Sequence, residues 1–210
     1  TAPTNEKDYS VFVNPFIGTG GHGHTFPGAV VPHGMIQPSP DTRIDGWDAC
    51  SGYYYEDSTI NGFSHTHVSG TGCCDYGDVL LMPTVGEQRY QTTDPQSQQL
   101  AYSSAFSHEN ETAEPGYYSV FLDTYQVKAE ISATKRGAIH RYTFPESSEA
   151  GFILDLDYSL QRQTNSDMGI EVISDTEICG HKKTTYWAFD QYINFYAKFS
   201  KPFSYTLVTD

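Results

Sequence analysis

No stretch of this sequence approaches the roughly 18 consecutive apolar residues of a membrane-spanning helix, so no such span is expected. Basic residues are scarce: 12 Lys and Arg stand against 26 Asp and Glu, a formal net charge of −14. Nucleic acid and anionic lipid both need positive charge to bind, so neither is an expected partner. No Cys-x-x-Cys pair occurs among Cys50, Cys73, Cys74 and Cys179, which speaks against a zinc ribbon or a thioredoxin-type motif. Cys73 and Cys74 are adjacent and are not expected to bond each other; the four read as free buried thiols, with room for one disulfide. Amphipathic helices are missing too, apart from one helical turn expected within 103–114, ahead of Pro115-Gly116. No signal peptide is recognisable, and the polar start from Thr1 to Asp8 suits a mature terminus left by signal removal.

What is present points to an all-β protein. The chain has 210 residues, the size of one large β domain able to bury a core without disulfide or metal staples. Sixteen Tyr and twelve Phe are an aromatic excess. Most of it reads as strand propensity and core packing, and part as platforms on which sugar C–H faces stack. Within 127–134, Val127, Ala129, Ile131 and Ala133 alternate with Lys128, Glu130, Ser132 and Thr134, the period of a half-buried antiparallel strand. Segments 116–122 and 137–144 read alike and complete a three-strand meander. Further strands are expected at 79–82, 151–158, 169–174 and 192–199, with 185–210 strand-like to its end. A chain that stops without a polar linker is expected to continue into a longer protein.

Two stretches, 14–34 and 41–77, are long, irregular and rich in Gly, Pro and His. Loops of that length are usually functional, and interleaved Phe16, Phe26, Trp47, Tyr53 and Phe63 argue against disorder. The first contains Val13-Asn14-Pro15-Phe16-Ile17-Gly18-Thr19-Gly20-Gly21-His22-Gly23-His24-Thr25-Phe26-Pro27-Gly28-Ala29, followed by Pro32-His33-Gly34-Met35 and Gly52-Tyr53. The second contains Gly62-Phe63-Ser64-His65-Thr66-His67-Val68-Ser69-Gly70-Thr71-Gly72-Cys73, with Asp75, Gly77 and Asp78. Phe106-Ser107-His108-Glu109-Asn110-Glu111 follows, with Ala113, Pro115 and Gly116-Tyr117-Tyr118. Over about the first 145 residues the sequence resembles glycoside hydrolase family 92, the calcium-dependent exo-α-mannosidases.

The resemblance implies an antiparallel, galactose-mutarotase-like β-supersandwich over 1–210 with long functional loops, as the N-terminal domain of a secreted, inverting exo-α-mannosidase of the bacterial periplasm or cell surface. It implies a role in N-glycan degradation, with an α-mannoside glycan and a C-terminal (α/α) barrel domain as partners. The family's catalytic acid and base and most of its calcium contacts come from that barrel, which lies outside this chain. No catalytic residue and no bound metal are therefore expected here, and Ca2+ belongs to the full-length enzyme.

Candidate sugar-binding residues fall in the two irregular stretches. Gly20, Gly21 and Gly72 allow a backbone to approach a ligand closely, with Cys73 following. Asp75 carries a carboxylate able to accept from two sugar hydroxyls, and the family places such a residue at the terminal mannose. Arg43 and Asp45 offer donors and acceptors beside the Trp47 plate, a combination that suits a polyol. The bland alternatives are a turn carboxylate at Asp75 and a salt-bridged surface loop at 41–47.

The pairs His22/His24 and His65/His67 have metal-ligand spacing on a strand, but neither has a recognisable third ligand, and buried histidines bonded to backbone account for them as well. Asp155 and Asp157 share one strand face, too close for an inverting pair, and read as solvated. Asn110-Glu111-Thr112 matches a glycosylation sequon by pattern only. Two rival functions follow from the same residues: a self-standing lectin-like module and a small metallohydrolase built on the His-x-His pairs.

Overall fold

In the computed structural model the described residues are 7–90 and 96–209. The first six residues, to which the expected mature terminus belongs, lie outside them, as does Asp210. The chain forms two compact units, Thr1–Arg162 and Gln163–Asp210.

Among the described residues, the first unit contains the strands β1 (Ser39–Asp41), β2 (Thr59–Ile60), β3 (Gly62–Ser64), β4 (Leu80–Val85), β5 (Ser104–Ala105), β6 (Glu111–Glu114), β7 (Tyr117–Leu122), β8 (Val127–Ala133), β9 (Ala138–Thr143) and β10 (Ala150–Asp155). They pair antiparallel into sheets ordered β1-β3-β4-β10 and β6-β7-β8-β9, with a short β2-β5 pair. Phe63 of β3 meets Tyr118 of β7 and Tyr142 of β9, with ring centroids 6.4 and 6.2 Å apart, so the two four-stranded sheets share one core. Leu80 and Met82 fill it from one sheet and Val120, Leu122, Val127, Ala129 and Ile131 from the other, all fully buried. This is the sandwich that the period-2 alternation predicts, and the meander over 116–144 is in place as β7, β8 and β9. Only one-turn 3-10 helices occur among the described residues, and the turn expected within 103–114 is His108–Asn110. Among the described residues, no helix is long and apolar enough to cross a membrane.

One face of β8 departs from a simple inside–outside split. Glu130, on the expected polar face, is buried under Arg141, whose Nε and Nη2 donate to it at 2.8 and 2.6 Å, and under the Tyr117 hydroxyl at 2.9 Å. The Arg141 and Tyr117 hydrogen bonds hold the Glu130 carboxyl down at about 2. Asp155 also differs from the solvated residue expected. Its Oδ1 accepts the amides of Asp157 and Tyr158 and its Oδ2 the Tyr102 hydroxyl, so it ends β10 in a turn.

The second unit is a three-stranded antiparallel sheet of β11 (Thr164–Val172), β12 (Glu177–Thr185) and β13 (Gln191–Lys198). β12 has no apolar alternation to reveal it, because Lys182 and Thr184 occupy buried positions and Gly180 fits where a Cβ would strike the Phe195 ring. The strand reading of 185–210 holds only for Gln191–Lys198 and for Thr185, the last residue of β12. Beyond Lys198 the Phe199 and Phe203 amides donate to Thr176 O and Asp175 O, so the chain folds over the β11–β12 turn.

Candidate functional site

The irregular segments of the first unit carry the candidate residues, and buried polar pairs anchor them. His67 Nδ1 donates to Gln37 O, and Nε2 lies 2.7 Å from Asp41 Oδ1 and 3.1 Å from Ser64 Oγ, fully enclosed. Gly52, at φ +91°, makes that enclosure possible: a Cβ there would overlap Asp41 Oδ1 and come within 3.1 Å of the His67 ring. His65 is engaged elsewhere, with Nδ1 donating to Val79 O at 2.6 Å and Nε2 3.1 Å from His140 Nε2. His65 and His67 are therefore committed to different partners. Among the described residues, no group of three His, Cys, Asp or Glu side chains is placed to hold a metal ion.

Eight candidate residues fall into two adjoining groups. In the first, Arg43 donates from Nε and Nη2 to Asp57 at 2.8–3.0 Å and lies 4.2 Å over the Tyr54 ring. The hydrogen bond to Asp57 raises the Arg43 pKa, outweighing partial burial. Asp45 accepts from Gln98 Nε2 at 2.5 Å and Arg162 Nε at 2.7 Å. Burial pushes its carboxyl up, but these two bonds outweigh it and hold the group below its ordinary range. Gly20 packs on Glu56, whose carboxylate would lie 3.1 Å from a Cβ, while Gly21, at φ +56°, faces open space. An open cleft of about 460 Å³ is lined by residues of 42–46 and 56–59 together with Gln98 and Gln99.

The second group starts where the cleft reaches Gly46. The one-turn helix Trp47–Ala49 leaves the Trp47 ring 58% exposed. His24 meets that ring edge-on at 4.3 Å, and His22 lies 5.1 Å from it while bonded to Asp48. His24 is buried, and its Nε2 has no hydrogen-bond partner among the described residues. Gly72 completes the arrangement: a Cβ there would stand 3.1 Å from the His24 ring and 3.2 Å from Trp47 Nε1. Cys73 follows, half-buried, its amide bonded to Thr71 Oγ1. Asp75 is 7% exposed and accepts the Tyr76 amide at 3.2 Å.

The loop carrying Gly72 adopts left-handed backbone at Gly70, Gly72, Tyr76, Gly77 and Val79, a shape few sequences adopt cheaply. At Gly72, φ +63° and the close rings act together. Gly72→Ala is expected to cost about 1–2 kcal/mol and to displace Trp47, read as a lowered urea midpoint with a shift in tryptophan emission.

Sequence reasoning singled out Arg43, Asp45, Trp47 and Gly72 as candidates but not the residues that support them. Asp57, Gln98 and Arg162 carry no local signal, since Arg162 lies 117 residues from the Asp45 it binds. His22 and His24 stood out by metal-ligand spacing and serve here as aromatic walls of the Trp47 site.

Residues 12–210 match the glycosyl hydrolase family 92 N-terminal domain. A family GH92 α-mannosidase from Bacteroides thetaiotaomicron, solved with mannoimidazole, superimposes with a TM-score of 0.85 at 41% identity, over 92% of this chain and 25% of that one. The family GH92 inverting mannosidase of Bacteroides thetaiotaomicron VPI-5482 gives a TM-score of 0.67 at 30% identity, over 84% and 23%. A protein of Arthroderma benhamiae named an uncharacterized secreted glycosidase is 31% identical over 147 residues, 68% of this chain. The chain spans about a quarter of the length of these structures and 18% of that relative.

Proposed function

The chain belongs to the glycosyl hydrolase family 92 N-terminal domain family, and from that premise we propose that it is the sugar-facing N-terminal part of a secreted, inverting exo-α-mannosidase. Its substrate is the terminal α-linked mannose of a glycan, in the periplasm or at the surface of a bacterium. The observation that carries this reading is Trp47, an exposed ring fixed edge-on by His24 beside the left-handed Gly72 and next to a cleft of paired polar groups.

Each candidate residue has a distinct part. The Trp47 face stacks on a sugar C–H surface. Arg43, with Nε and Nη2 held by Asp57, directs Nη1 to hydroxyls, and Asp45 is kept ionised as an acceptor. Gly20, Gly21 and Gly72 let backbone amides approach, with Cys73 beside them. Asp75 acts from beneath, shaping the loop through the Tyr76 amide as well as facing the sugar.

Inversion requires a general acid and a general base about 6.5–9.5 Å apart with a water between them. We assign both to the helical barrel outside this chain, so the chain alone turns over no mannoside. Calcium is assigned there as well, where it would act as a Lewis acid and template.

Trp47→Ala tests the reading in the intact protein. Loss of one stacking contact worth about 0.5–1.5 kcal/mol lowers kcat/KM on aryl α-mannosides by roughly three- to tenfold. The exposed ring contributes little to the core, so the melting temperature stays nearly unchanged. Unaltered kcat/KM removes Trp47 from the site, and sugar binding without any turnover by the intact protein marks a lectin.

A further inference from the structure

His22 stands in a tight turn beside the exposed Trp47 ring. The Gly23 amide donates to Gly20 O and the Thr25 amide to Gly18 O, at 3.3 and 3.2 Å. A Cβ at Gly23 would strike Gly18 O, so the backbone that holds His22 closes only around a glycine. The His22 side chain itself is 73% exposed. Its ring lies 5.1 Å from that of Trp47 at 46°, so the two planes make an open corner. Its Nδ1 is bonded to Asp48 Oδ1, and Asp48 follows Trp47 on the same one-turn helix. Nε2 has no partner among the described residues.

We propose that His22 touches the bound sugar and that Asp48 positions it: the Asp48 carboxylate accepts the Nδ1 proton, and Nε2 accepts a hydroxyl of the mannose stacked on Trp47. Given the sugar-facing reading of Trp47, on which this rests, His22 supplies what the indole cannot, a preference for one hydroxyl position.

The two rings offer different chemistry. An indole face takes the apolar C–H side of a sugar, and many pyranoses present one, so stacking gives affinity with little selectivity. Hydroxyls project from the rim of a stacked sugar, and the tilted imidazole stands beside the indole on which that sugar lies. A neutral imidazole carries one ring proton. With that proton on Nδ1 and engaged by Asp48, Nε2 keeps its lone pair and can only accept. Without Asp48 either nitrogen could carry the proton, and an exposed side chain is free to leave for another rotamer. Exposed pairs of this kind contribute little to stability, so either partner can be replaced with the fold intact.

Calorimetry on the intact protein tests this with methyl thio-α-mannoside, whose C–S link resists hydrolysis, and with its monodeoxy forms. Removing the hydroxyl that His22 reads should weaken binding to the wild type by about three- to tenfold, the loss of one hydrogen bond. That penalty is expected to vanish in His22→Phe, which keeps a ring beside Trp47 but has no acceptor nitrogen. It is expected to shrink in Asp48→Ala, which frees the imidazole. Penalties at the other positions stay as they are in the wild type. A deoxy profile identical in wild type and His22→Phe overturns the inference while leaving sugar binding in place. A profile changed by His22→Phe but untouched by Asp48→Ala overturns the positioning part. A wild-type protein that binds no thiomannoside overturns both the inference and the reading of Trp47 beneath it.

Discussion

Replacing Glu111 by alanine is expected to lower the unfolding free energy of the intact protein by about 3–5 kcal/mol, among the largest effects of any single side chain here. Glu111 begins β6 with its carboxylate completely enclosed. Its Oε1 accepts Tyr118 OH at 2.6 Å and Tyr53 OH at 3.1 Å, and its Oε2 accepts His108 Nδ1 at 2.6 Å. Burial and the neighbouring carboxylate push both tyrosine pKa values well up, so the two hydroxyls stay protonated and need an acceptor. Without Glu111 both are left buried with none, at about 1–3 kcal/mol each. Glu111→Gln keeps one acceptor oxygen and should lose less. The measurement is the urea midpoint at constant m-value, and equal midpoints for wild type and Glu111→Ala would show that the network contributes nothing. Because His108 also bonds Tyr55 O and stacks on the Tyr55 ring at 4.1 Å, the alanine variant should loosen the 52–57 segment that holds Asp57 under Arg43.

Mild acid is expected to destabilise the protein well before its carboxylates titrate. Tyr142 OH, His140, His65 and Val79 O form a chain that is satisfied when both rings are neutral: Tyr142 donates to His140 Nδ1, the two Nε2 atoms share one proton, and His65 Nδ1 donates to Val79 O. A further proton makes both facing nitrogens donors. Burial lowers both pKa values, that of His140 to about 3. An unfolded histidine titrates near 6.5, so between pH 6.5 and 3 the unfolded chain binds the proton that the folded chain refuses. The stabilisation is complete above about pH 6.5 and declines as pH falls. At pH 5 it is smaller by about 2 kcal/mol for His140 alone. Glu130, held at about 2, keeps its pairing throughout this window. Urea denaturation at pH 7 and pH 5 checks it: His140→Gln should show a shallower fall than wild type, and identical slopes would exclude the pair as the cause.

The sequence made the sandwich legible wherever apolar residues alternate, as in β7, β8 and β9, because burial on one face of an antiparallel sheet imposes that period. It concealed β12, where Lys182 and a glycine fill positions that usually reveal a strand, and the pairing of β4 with β10, which no local pattern encodes. At the candidate site, residue types chosen for close approach and stacking were readable at Trp47 and Gly72. Their supports, Asp57, Gln98 and Arg162, arrive from distant segments, and spacing carries no trace of them. The depth of Asp75 was not readable, because it depends on the path of a loop with left-handed backbone at Gly72, Tyr76 and Gly77 rather than on any local pattern.

The pairing of β4 with β10 also sets an order of events during synthesis. β4 ends at Val85 and its main partner begins at Ala150, after β5 to β9 have been made. At about 5–20 residues per second, β4 leaves the ribosome several seconds before the strand that covers it. In that interval Leu80–Val85 presents an unpaired edge, a template for any other extended chain. The meander of β6 to β9 needs only neighbouring contacts and can form meanwhile, offering Tyr118 and Val120 as a surface for β3 and β4 to rest on. Slow translation between 86 and 149 therefore lengthens the time the nascent chain spends open to misassociation, and the last strand of this sheet acts as its latch.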